Sequence, residues 1–97
     1  MYELNPIYDT RQSFYGKAKI KKQKNKCESF KHLYSYGTHV ARITCNYEEG
    51  YTLYENFGKY SQTTTRHQKE FFKQNGLCDS EIKDLLKKGE LIKEWRD

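Results

Sequence analysis

From Ser13 the chain alternates with a period of two. Phe14, Ala18 and Ile20 fall on one face, and Lys17, Lys19 and Lys21 on the other. Successive side chains of extended backbone point to opposite sides, so the alternation predicts a half-buried strand. Gly16 interrupts its apolar face, where a bulky residue or another backbone comes close. The stretch 23–26, QKNK, reads as a loop. SFKHLYSYG (29–37) and THVARITC (38–45) are rich in aromatic and β-branched residues, with Gly37 as a turn or bulge between them. NYEEG (46–50) reads as a hairpin turn, and YTLYENF (51–57) as a further strand ahead of Gly58. No long crossover precedes residue 60, so these strands pair antiparallel.

The period then changes. Ser61, Thr63 and Thr64 are poor inside a helix but good at its start, because their oxygens accept orphan amide hydrogens. Asn75-Gly76 is a natural stop. At a helical period Thr64, Gln68, Phe71 and Phe72 share one side, Arg66, Lys69 and Lys73 the opposite arc, and His67 the boundary. The aromatics are expected to pack on the sheet and the cations to face water. A second short helix starts near Asp79 or Ser80, with Ile82, Leu85 and Leu86 inward and Gly89 as its stop. ELIKEWRD (90–97) reads as another helical turn or a short extended piece whose Leu91, Ile92 and Trp95 cover an open edge of the core.

The expected fold is therefore α+β. An antiparallel sheet of three to five strands packs against one main helix, with a short C-terminal helix. Residues 1–97 form a single domain: an extended arm (1–12), a β-meander (13–57), the main helix (60–76) and a C-terminal helical segment (79–97). Pro6 is the only proline, and a short strand near Ile7 and Tyr8 is compatible with the arm. A chain of 97 residues is long enough for one modest core. Its 15% aromatic content, in nine Tyr, five Phe and one Trp, argues against disorder.

Charge alters this picture in one place. The net charge is +5, and KAKIKKQKNK (17–26) holds six lysines and no acid. Removing those six from the chain's 18 basic residues leaves 12 against 13 acidic ones. The positive excess thus sits in one segment, which protects a strand edge or favours an acidic partner. Cys27, Cys45 and Cys78 are widely spaced without a C-x-x-C pair, and the three His do not complete a zinc set. Three reduced thiols, no metal, no cofactor and a cytoplasmic location are expected. No run reaches the length of a membrane span, and the N-terminus lacks the apolar region of a signal peptide.

Three segments together carry a resemblance: SFYGKA (13–18), LYSYGTHVARI (33–43) and YSQTTTRHQKEFFKQNGL (60–77). They resemble a family of small proteins and domains carried by bacteriophages, plasmids and other mobile elements of low-GC bacteria. Its pattern runs F-Y-G-K-A, then L-x-S-Y-x-T-x-V-A-x-I, then Y-S-x-T-T-x-R-H-x-x-E-F-x-x-Q-x-G. The match spans about two-thirds of the chain in the right order. The lysine-rich extension after the first motif departs from the pattern. The resemblance implies a mobile-element origin and a compact α+β fold, and carries over no catalytic residue.

Two groups of residues are candidates for function. Thr64, Arg66, His67 and Glu70, with Tyr36 and Thr38, contain the residue types that bind phosphate or cut RNA without a metal. One His on one helix, with no second acid or base, favours a structural role for them. The partner-binding candidates are Lys17, Lys19, Lys21, Lys22, Lys24, Lys26, Arg66, Lys69 and Lys73. Tyr34, Tyr36, Tyr47, Tyr51, Tyr54 and Tyr60 could stack nucleic-acid bases, but most are expected to be structural. Three functions follow. The leading one is a non-enzymatic inhibitor of a bacterial defence protein or ribonucleoprotein complex such as CRISPR-Cas, in the manner of an anti-CRISPR. The alternative is a nucleic-acid-binding accessory protein, favoured by the sequence pI of about 9.1. A small metal-independent nuclease is the distant third.

Overall fold

Strands form where the alternation predicts them, and then continue past it. The computed structural model describes residues 1–95. In chain order its elements are β1 (Tyr2–Glu3), β2 (Ala18–Lys24), β3 (Glu28–Ser35), β4 (Thr38–Asn46), β5 (Tyr51–Asn56), α1 (Gln62–Gln74), α2 (Asp79–Lys88) and β6 (Glu90–Glu94). The strands make one antiparallel sheet in sequence order, β1 to β6. Both helices lie in the connection from β5 to β6.

Register decides which side chains share a face. Ile20 pairs with Leu33, Leu33 with Ala41, and Ala41 with Asn56. Ile20, Leu33 and Ala41 of this row, with Ala18, Ile43 and Tyr54, are buried in one cluster with Phe71, Phe72, Leu77, Ile82 and Leu85. The N-terminal Leu4 and Phe14 join the same cluster. The pairing of β3 with β4 shifts between Leu33 and Tyr34, which leaves Val40 as an extra residue between Ala41 and His39. That bulge presents the Val40 carbonyl to the buried Gln68, whose Nε2 donates to it at 3.1 Å. Phe71 and Phe72 are fully buried. Each such ring contributes roughly 1.5–3 kcal/mol by leaving water.

Local chemistry sets the turns and helix ends. Tyr36 and Gly37 join β3 to β4 with φ of 51° and 80°, the pair of positive values that a type I′ hairpin turn requires. Ser61 caps α1 by accepting from the Thr64 amide at 3.3 Å. Glu81 accepts from the Cys78 amide at 3.0 Å, at the start of α2. Gly89 ends α2 in the left-handed conformation.

Several sequence expectations need correction. The sheet has six strands, not three to five. The arm contributes β1, which pairs with Ile20 and Lys19. β2 runs on through Gln23 and Lys24, so QKNK is only in part a loop. Asn46 still belongs to β4, which confines the following turn to 47–50. Gly16 does not interrupt a strand face. It lies in a turn with Tyr15, both at positive φ, and the Lys17 amide bonds to the Phe14 carbonyl across that turn at 3.0 Å. The C-terminal segment is not helical throughout: α2 stops at Lys88, and β6 pairs with β5. Leu91 packs on the core, whereas Ile92 is 55% exposed on the opposite side and Trp95 is 53% exposed. Residues 96 and 97 of the expected C-terminal piece lie outside the described residues.

Candidate functional site

The sheet has a second face, and neither helix packs there among the described residues. Its rows are Lys19–Tyr34–His39, Lys21–His32–Arg42–Glu55–Glu90 and Gln23–Phe30–Thr44–Leu53–Ile92. Five rings join across it. Phe30 stacks on His32 with centroids 6.0 Å apart, and His32 meets His39 at 4.9 Å. His39 stacks on Tyr34 at 4.9 Å and takes Phe57 edge-on at 4.8 Å. Arg42 lies 5.6 Å from the Phe57 centroid while its Nη2 pairs with Glu55 at 2.8 Å.

The two histidines form one polar unit. His32 Nδ1 and His39 Nε2 are 3.1 Å apart, and His32 Nε2 lies 2.8 Å from Gln23 Oε1. When both rings are neutral, one donates and the other accepts across the His32–His39 contact, the tautomers setting which. Burial lowers both pKa values first; His39, Arg42 and Lys21 add to it for His32, and Arg42 adds to it for His39 against smaller upward pulls from the Ala41 backbone and Glu55. Both rings are therefore neutral near neutral pH. A shallow hollow at the β1 end of this face is lined by Met1, Lys17, Lys19, Lys21, Tyr34 and Tyr36.

The lysine segment does not form one patch. Lys19 and Lys21 point to the open face beside Tyr34 and His32. Lys22 and Lys24 follow Ala18 and Ile20 to the other face, where Lys22 sits over the Tyr2 ring at 5.3 Å. Lys26 lies in the β2–β3 turn. The alternation that makes the strand thus divides its charge between two faces.

The polar cluster on α1 is committed to structure. His67 is 1% exposed, and its Nδ1 lies 2.7 Å from Ser35 Oγ, which also bonds Thr64 Oγ1 at 2.9 Å. Its ring contacts Phe14 at 4.5 Å and Tyr36 at 5.9 Å. Burial lowers its pKa, against a smaller upward pull from Asp9. The boundary position expected for His67 is in fact an interior one, because Phe14, ahead of β2, covers it. Glu70, also buried, accepts from the Tyr8 and Asp9 amides at 3.0 and 2.9 Å and from Gln74 at 2.6 Å. Arg66 pairs with Asp9 at 3.4 Å. Thr38 is exposed in the strand beyond the hairpin turn. A general base needs access to a substrate proton, and His67 has none.

A second concave surface lies on the helical side. A groove of about 900 Å³ runs between α1 and α2, with Tyr8 and Asp9 of the arm on its wall. Arg66, Lys69 and Lys73 line it, so they face a groove and not simply water. Lys59, Lys83 and Lys87 complete its rim. Sequence reasoning missed these three because they come from separate segments; only the pairing of the two helices brings them together. Lys73 is partly engaged, bonding Asp79 at 2.8 Å and lying over the Tyr8 ring at 5.5 Å.

Among the described residues no helix is long and apolar enough to cross a membrane. No group of three or more His, Cys, Asp or Glu among them is placed to hold a metal ion. No curated protein and no solved structure matches the chain. The sequence profile of a family described as "Family of unknown function (DUF8033)" matches residues 2–88, nearly the whole chain, and the chain therefore belongs to that family.

Proposed function

We propose that this protein is a non-enzymatic accessory protein of a mobile element, and that it binds and inhibits a bacterial defence complex such as CRISPR-Cas. The contact is made by the open face of its sheet. The observation that carries this reading is the row of five rings from Phe30 to Phe57, flanked by Arg42, Lys19 and Lys21 and bordered by Leu53 and Ile92. Protein interfaces are enriched in aromatics and Arg at their centre and place charge at the rim. The phage or plasmid origin rests on the three motifs quoted above.

Binding is favoured over catalysis because Ser35, Thr64 and His67 bond one another in the interior and Glu70 holds the arm. The lysines at the edge of the face would speed association with an acidic partner more than they would hold the complex together. The test is affinity capture from a host lysate, with and without nuclease. A host defence protein retained after nuclease treatment supports the reading. Capture that disappears with nuclease transfers the face to nucleic acid.

A further inference from the structure

The groove between α1 and α2 is rimmed by more cations without partners among the described residues than the sheet face, which has Lys19 and Lys21. Each of the groove's three acids is engaged within the fold, though the Asp79 side chain stays exposed. Asp9 accepts from the Arg11 amide and pairs with Arg66. Glu70 is taken up by the Tyr8 and Asp9 amides and by Gln74. Asp79 holds Lys73. Lys59, Lys69, Lys83 and Lys87 remain exposed around a floor that includes Ile82 and Leu86, and none of the four has an ion pair or side-chain hydrogen bond among the described residues. Such a gathering of like charges raises the local potential, and of the groove's acids Asp79 alone has an exposed side chain to offset it.

We infer that this groove is a seat for the sugar-phosphate backbone of a single nucleic-acid strand. Three observations favour that ligand over an acidic protein segment. First, the rim is chiefly cationic: four exposed ammonium groups, against one exposed carboxylate, that of Asp79, which is engaged by Lys73. A DNA backbone presents acceptors alone, whereas a peptide brings donors and acceptors alternately. Second, the cations form two rows, Lys83 and Lys87 on α2 and Arg66, Lys69 and Lys73 on α1. Neighbours three or four apart on a helix are about 5–6 Å from one another, a spacing of the same order as the advance of one strand per phosphate, which is about 3.4 Å along the axis when stacked and longer when extended. Third, the floor of Ile82, Leu86 and the exposed Tyr8 ring is apolar enough to receive sugars and one base face. The inference is independent of the sheet-face reading. A partner that is a ribonucleoprotein would engage both surfaces.

The test uses the whole chain and a fluorescein-labelled oligothymidylate of about a dozen nucleotides, with anisotropy read across a salt series. Binding is expected at low salt, weakening linearly on logarithmic axes by about 0.7 per phosphate neutralised. The triple variant Lys69→Gln, Lys83→Gln, Lys87→Gln should reduce that slope by about 2. Lys24→Gln with Lys26→Gln, on the strand and turn that line neither surface, should leave most of it. All five side chains are exposed, so an unchanged thermal melt is expected of each variant. Equal slopes for the wild type and the triple variant would overturn the assignment, as would no binding at low salt. Polyglutamate that competes as well as the oligonucleotide and loses binding with the same variant would overturn it in favour of an acidic protein segment. Strand binding is read by anisotropy and partner capture by pull-down, so failure of one leaves the other standing.

Discussion

Acidification tests the buried environment of His67 without touching the sequence. The ring is 1% exposed, bonded to Ser35 Oγ at 2.7 Å and packed on Phe14, and burial holds its pKa below the usual value. In the unfolded chain the same group titrates near about 6.5. As the pH falls through that value the unfolded state takes up the proton first. The stabilisation is therefore complete above about 6.5 and is lost as the pH falls toward the folded pKa. The limiting loss is about 1.4 kcal/mol per pH unit for each histidine. His32 and His39 shift the same way, burial first, so the three histidines together set a ceiling of about 4 kcal/mol per pH unit. Urea unfolding at a series of pH values reads this directly. His67→Gln should lower stability at neutral pH by about 1–3 kcal/mol, for a buried bond disturbed, and flatten the acid limb by up to about 1.4 kcal/mol per pH unit. A fold that gains stability between about pH 7 and 5.5 would refute the argument; it would mean that the charged ring is favoured and that Asp9 outweighs burial.

Other perturbations separate the remaining parts of the account. Phe71→Ala should cost about 3–5 kcal/mol, because the ring is fully buried; an unchanged melt would refute the inward orientation of that side of α1. Glu70→Ala removes the acceptor of the Tyr8 and Asp9 amides, so limited proteolysis should cut the arm faster, and an unaltered cleavage rate would deny Glu70 that role. Glu81, held at a pKa of about 2 by the Cys78 amide and Lys93, should contribute stability above its unfolded pKa and lose it as the pH falls toward about 2. Unfolding curves of Glu81→Gln should consequently show a shallower decline than the wild type below about pH 4.5.

The parts of the fold carried by repeated local pattern were legible in the sequence. Ala18 and Ile20 against Lys19 and Lys21 specify β2, and the side of α1 bearing Gln68, Phe71 and Phe72 specifies what that helix buries. β6 was not legible, because ELIKE is too short for its period to distinguish strand from helix. It becomes a strand because β5 leaves an edge for it to pair with. β1 is two residues long and is set by its partner alone. The ring row on the open face depends on a register that includes the bulge at Val40, which no local pattern announces. The groove depends on how α1 and α2 meet. Its three lysines at positions 59, 83 and 87 look, in the sequence, like ordinary solvated charges.

Site-specific photo-crosslinking tests the proposed docking face most directly. A photoreactive phenylalanine at Phe57 or Ile92, which are 40% and 55% exposed on the open face, should yield an adduct with a host defence protein in a nuclease-treated lysate. The same group at Asp84 or Lys88 on the exposed side of α2 should yield none. Adducts from the helical positions alone, or from none of the four, would contradict binding through the sheet.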